Sequence, residues 1–163
     1  MTAMPEFPVT VTDDGAMVRA TVTLPGCTPA RAIAAFTDPA VLARWWTGGD
    51  LITTLEPGGP YTISFTRLNR AITGEVVSYI PASRLEFTWV WDHEAPVVRR
   101  TVAITVTQET AATVLEVMHG PHADAGPDPG GAESTARAEH REGWLFFLPR
   151  LAALLSPSGA APA

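Results

Sequence analysis

Between residue 17 and residue 119 the chain mostly alternates apolar and polar positions, the period of a half-buried strand. Val18, Ala20, Val22 and Leu24 fall on one face, and Arg19, Thr21 and Thr23 on the other. Tyr61, Ile63 and Phe65 repeat the pattern. So do Leu85, Phe87, Trp89 and Trp91, then Val98, Arg100, Val102, Ile104 and Val106, and last Thr113, Leu115, Val117 and His119. Residues 50–56 and 71–80 are two further runs, and Val9 with Val11 predicts a short edge strand before the turn Asp13-Asp14-Gly15. Pro57-Gly58-Gly59, Arg67 to Arg70 and Pro81-Ala82-Ser83 are turn signals, so the middle of the chain reads as an antiparallel meander.

The rhythm changes at the end. In Ser134–Leu155, His140, Trp144, Leu148, Leu151 and Leu155 lie three or four residues apart, the spacing of one helical face. Phe147 and Leu154 widen it, while Arg137, Glu139, Arg141 and Glu142 lie mostly opposite. Ser134 or Thr135 can cap the start, and Pro149 removes one backbone bond to Leu145 and is expected to bend the axis. Two shorter helices are predicted after the first strand. Thr28 caps one and Asp38 the other, each with proline at its first position, and Gly48-Gly49 stops the second. So broad an apolar face on the last helix needs a large partner, and a twisted antiparallel sheet curling around it supplies one.

At 163 residues the chain fits one domain. The expected division is an N-terminal extension or edge strand at 1–16, a single domain at 17–156 and a disordered tail at 157–163. Residues 120–135 hold four Gly and three Pro without an apolar pattern, and read as a long mobile loop.

Composition narrows the partners. The net charge is −6, and the eleven basic residues are all Arg and scattered, which argues against nucleic acid or an anionic membrane surface. No apolar run is long enough for a membrane span and no secretory signal opens the chain, so a cytoplasmic location is the expectation. With one cysteine, Cys27, there is no internal disulfide or multi-Cys metal site, and the absence of Lys excludes lysine Schiff-base chemistry. No phosphate loop, nucleophile elbow or dinucleotide fingerprint is present, so no cofactor is expected.

Four stretches, TPARAIAAFTDPAVLARWW, LEPGGPYTISF, GEVVSYIPASRLEFTWVW and HREGWLFFLPRLAALL, occur in this order. Together they resemble START-like (SRPBCC) domains of the family named for the activator of the heat-shock chaperone ATPase. The resemblance covers residues 17 to 155. It implies an α+β helix-grip fold: a curved antiparallel sheet wrapped around a long C-terminal helix, with a cavity between them. Family members include ligand carriers, resistance proteins that sequester toxic metabolites, aromatases and cyclases of polyketides in the wider superfamily, and chaperone-activator domains. A shared fold does not choose among these.

The residues supply candidates. Trp45, Trp46, Trp89, Trp91 and Trp144 are either core or the aromatic wall of a cavity for a flat apolar ligand. Tyr61, Phe65, Val117, Phe147 and Leu148 share the inward faces and join them as candidate ligand contacts. Arg100 points inward if its strand face is concave, and then needs an acidic partner or an anionic ligand. His119 and His140 approach one end of the same cavity. They are candidates for a general acid and base, or are two hydrogen-bonded rings that fix the 120–135 loop to the helix. His119, His122, Asp124 and Asp128 lack a geometry that would hold a metal, and no metal is expected. The reading is a domain that binds a small, largely apolar or aromatic, polyketide-like ligand as a carrier or resistance protein. Two alternatives stand beside it: a cofactor-free cyclase, dehydratase or hydrolase, and a chaperone-activator-like interaction domain. A homodimer is left open.

Overall fold

A computed structural model of the protein describes residues 8–46, 48–94, 98–122 and 132–156, with side chains from 135 onward in the last segment. The expected tail and most of the expected mobile loop, Ala123–Gly131, lie outside the described residues. The elements are β1 (Val9–Asp13), β2 (Val18–Pro25), α1 (Pro29–Thr37), α2 (Pro39–Trp45), β3 (Asp50–Thr53), β4 (Tyr61–Phe65), β5 (Arg70–Thr73), β6 (Val76–Ile80), β7 (Arg84–Trp91), β8 (Arg100–Glu109), β9 (Ala112–Gly120) and α3 (Ala132–Leu155), with a single 3-10 turn at Thr66–Leu68.

The strands form one antiparallel sheet in the order β1-β2-β9-β8-β7-β5-β4-β3, with β6 also paired to β7. The alternation read from the sequence is what buries them. Val18, Ala20, Val22 and Leu24 of β2, Tyr61, Ile63 and Phe65 of β4, and Leu115, Val117 and His119 of β9 are all buried, and the residues between them are not. A sheet of this length coils, and α3 lies in its hollow against β1, β2 and the two small helices. This is the helix-grip arrangement that the four motifs imply. None of the described helices is long and apolar enough to cross a membrane.

Several elements differ from expectation. Residues 50–56 are strand only over Asp50–Thr53, and the run from Val98 starts its strand at Arg100. The run 71–80 is not one strand. It breaks at Gly74-Glu75, where the Glu75 amide donates to the Thr88 hydroxyl and the Gly74 carbonyl accepts from the Tyr61 amide. A Cβ on Gly74 would stand 1.9 Å from the Thr88 carbonyl oxygen, so only glycine permits this approach. The last helix begins at Ala132, two residues early, because Ala132 and Glu133 are helix-compatible and acid suits a first turn. Ser134 is therefore inside the helix and does not cap it. Helix α3 runs on through Pro149, and Leu145 is exposed, where water can take the carbonyl that Pro149 leaves without a donor.

The N-terminal half of α3 is tied to the β1–β2 turn. Arg141 donates to the Asp13 carboxylate at 2.8 Å and Arg137 to the Gly15 carbonyl at 2.7 Å. These bonds bring His140, next to Arg141 on the same helix, over the end of the sheet where β2 begins and β9 ends.

Candidate ligand cavity and histidine cluster

A cavity of about 270 Å³ lies between the sheet and α3. Trp46 caps the C-terminus of α2, β4 ends in Phe65, β7 supplies Trp89 and Trp91, and α3 contributes His140, Gly143, Trp144 and Phe147. Leu68, Arg70, His93, His119 and Glu139 complete the wall. The Trp46 ring stands 5.7 Å from Trp89, 5.5 Å from Trp144 and 6.4 Å from Phe147, so it joins helix, sheet and cap in one aromatic cluster.

Of the residues named from the sequence, Trp46, Phe65, Trp89, Trp91, His119, His140, Trp144 and Phe147 line this cavity. Trp45, Tyr61, Arg100, Val117 and Leu148 do not. The Trp45 indole donates to the Ala35 carbonyl at 2.9 Å and locks α1 to α2. The Tyr61 hydroxyl donates to the Phe36 carbonyl at 2.6 Å, and its ring stacks on Phe87. Val117 and Leu148 are wholly buried core. Arg100 is fully buried, and both Glu94 carboxylate oxygens accept from it, at 2.8 and 3.1 Å. Arg100 thus has its acidic partner within the protein. Glu94 sits in the aperiodic loop after β7, which carried no signal in the sequence.

The histidines form a wired cluster. The Trp91 indole donates to His140 Nε2 at 2.8 Å, so that nitrogen is bare and the ring proton of neutral His140 is on Nδ1. Nδ1 then donates to His122 Nε2 at 2.8 Å, and His122 Nδ1 donates to the Ala16 carbonyl at 2.8 Å. The same carbonyl accepts from the His122 backbone amide at 2.7 Å. Gly120 makes this crossing possible: its φ is +153°, and a Cβ there would come within 2.8 Å of the Ala16 oxygen. On the other side, the Trp144 indole donates to His119 Nδ1 at 3.1 Å, which places the His119 proton on Nε2. The His119 and His140 rings stack at 4.1 Å. His122, weighed in the sequence only as a metal ligand, is the link between loop and helix.

Burial dominates the electrostatics. It pushes His140 down to about 3, with help from His122, Arg100 and His93. Burial, then His140, His122 and Arg100, hold His119 well below the usual imidazole range. Both rings are therefore neutral near pH 7. The three ring nitrogens that could meet at a metal lie within 4.8 Å of one another. For His119 or His140 to ligate through its protonated nitrogen, however, the proton would have to leave, or move to the nitrogen that now accepts from an indole and so displace that donor.

A pH dependence follows, with a defined sign. The folded pKa values lie below the 6.5 of a free imidazole, so between the two the unfolded chain binds more protons. Stability is complete above about pH 6.5 and is lost as pH falls toward about 3, with each histidine adding up to about 1.4 kcal/mol per pH unit. Urea unfolding midpoints should fall clearly between about pH 7.5 and about pH 5. Equal midpoints would contradict a buried neutral cluster.

Comparison with known proteins adds a family. The model of the family described as Activator of Hsp90 ATPase homolog 1-like protein matches residues 27–156. No curated protein matches the chain. Among solved structures, DynU16, from the dynemicin biosynthetic locus, is 28% identical with a TM-score of 0.69 over 90% of this chain. The chain spans 49% of DynU16, about half its length. MLL2253 from Mesorhizobium loti is 24% identical (TM-score 0.69, 84% of this chain and 96% of that one). Ms6760 from Mycobacterium smegmatis is 19% identical (TM-score 0.73, 96% and 100%). The last two show the fold alone.

Proposed function

The chain belongs to the family of Activator of Hsp90 ATPase homolog 1-like proteins, and from that premise we propose that it binds a small, planar, largely apolar molecule between sheet and α3, as a carrier or sequestering protein. The observation that carries this is the cavity itself. Its volume of about 270 Å³ suits a molecule of a few fused rings, and Trp46, Phe65, Trp89, Trp91, Trp144 and Phe147 offer flat apolar faces to it. The relative DynU16 comes from a biosynthetic locus, a setting in which a small-molecule ligand is at hand.

The histidines favour binding over catalysis. A general acid or base works best with a pKa near the operating pH and a nitrogen within reach of the reacting atom. His140 is far from that range, and both its nitrogens are taken, by Trp91 and by His122. His119 has its bare nitrogen occupied by Trp144. Neither ring has a lone pair left to accept a proton from a ligand.

Mass spectrometry of small molecules that co-purify with the native protein is the test. A planar, mainly apolar molecule, recovered unchanged after incubation with the protein, is the expected result. Conversion of that molecule to a product would overturn the carrier reading in favour of an enzyme. Absence of any bound molecule, together with no affinity for planar aromatic probes, would overturn both.

A further inference from the structure

Two buried donors in this cavity wall lack an acceptor. His119 Nε2 and Trp89 Nε1 are both shielded from water and have no hydrogen-bond partner among the described residues. Their neighbours are donors or are spoken for: the Trp144 indole is spent on His119 Nδ1, and the Trp91 indole on His140. Since Trp144 donates to Nδ1 of a neutral ring, the other His119 nitrogen carries a proton and can only donate. The Trp89 indole nitrogen is likewise a donor only. The two rings lie 4.5 Å apart between centroids, on β9 and β7, and both line the cavity. Native proteins leave few buried donors unsatisfied, and two side by side in one cavity wall need an explanation.

We infer that His119 and Trp89 form a two-donor site for one acceptor oxygen, and that the ligand is a planar apolar ketone or quinone whose carbonyl meets both N–H groups. This rests on the cavity-binding reading and sharpens it to a ligand class. Both donors are neutral, which suits an uncharged carbonyl. A carboxylate at these donors would need a buried cation beside it, but Arg100 is already held by Glu94, and Arg70, the other arginine near the cavity, is exposed. No covalent step is involved.

The probe pair is 9-fluorenone and fluorene, which share ring shape and differ at one carbon, C=O against CH2. Wild type should bind the ketone more tightly by about tenfold or more, because the hydrocarbon leaves both donors unpaired. The carbonyl stretch of bound fluorenone should move to lower wavenumber than in an alkane, a reading that needs no variant. His119→Phe and Trp89→Phe should each weaken ketone binding several-fold more than hydrocarbon binding, and each should reduce the infrared shift. Equal affinity of wild type for the two probes, tighter binding of fluorene, or an alkane-like carbonyl stretch would overturn the donor pair while the cavity reading stands. Failure of both probes to bind would overturn the cavity reading and the donor pair with it.

Discussion

Trp144→Ala is expected to cost about 3–5 kcal/mol of folding stability, the usual range for a large buried aromatic. Trp144 is 3% exposed and is the hub between α3 and the sheet. Its ring lies 5.5 Å from Trp46 and about 6.1 Å from both Trp89 and His119. Truncation removes this packing and also leaves His119 Nδ1 as a buried acceptor without its donor. Trp144→Phe keeps an aromatic ring but loses the five-membered ring with its N–H, so it should cost about 1–3 kcal/mol. Urea denaturation with an unchanged slope is the measurement. A loss below about 1 kcal/mol for Trp144→Ala would mean that α3 is not packed in the hollow of the sheet.

Glu94→Ala should be nearly as damaging, at about 3–5 kcal/mol, although Glu94 lies on a loop. The reason is Arg100, which is wholly buried and loses the carboxylate that grips it at 2.8 and 3.1 Å. Taking a carboxylate away from a buried guanidinium costs far more than losing an exposed pair. Added salt should therefore change this loss little, since screening acts weakly on a buried pair. Arg141→Ala makes the comparison: it breaks only the exposed pair with Asp13 and should cost about 0–1 kcal/mol. Glu94→Leu combined with Arg100→Met should recover much of the stability, because an apolar pair needs no desolvation of charge. If Glu94→Ala proved as mild as Arg141→Ala, Arg100 would not depend on that carboxylate.

Local periodicity carried the strands and the helix face into the sequence reading. Val18 to Leu24 and His140 to Leu155 face the core because a fixed period puts every second, or every third and fourth, residue there. The features that escaped are contacts across the chain. Trp91 and His140 are 49 residues apart and Trp144 and His119 are 25 apart, and no spacing rule couples an indole on one element to an imidazole on another. Glu94 and His122 sit outside any periodic element, so their burial against Arg100 and Ala16 had no local sign. The strand break at Gly74 looked like an ordinary apolar run because its cause, the Thr88 backbone, lies on the neighbouring strand. Trp45 and Tyr61 share the inward faces of true cavity residues, and only the positions of Ala35 and Phe36 show that they hold helices in place.

Gly143 offers the most direct test of a binding cavity. It lines the cavity on α3, and a Cβ built there meets nothing within 4 Å. The Cβ of Gly143→Leu would enter open space, and replacing a helical glycine should hold or raise stability by up to about 1 kcal/mol. The measurement is the affinity of 9-fluorenone for Gly143→Leu beside wild type, with unfolding midpoints of both. A loss of affinity by about tenfold or more in a variant as stable as wild type is the predicted result. Undiminished affinity in that stable variant would contradict a ligand site between the sheet and α3.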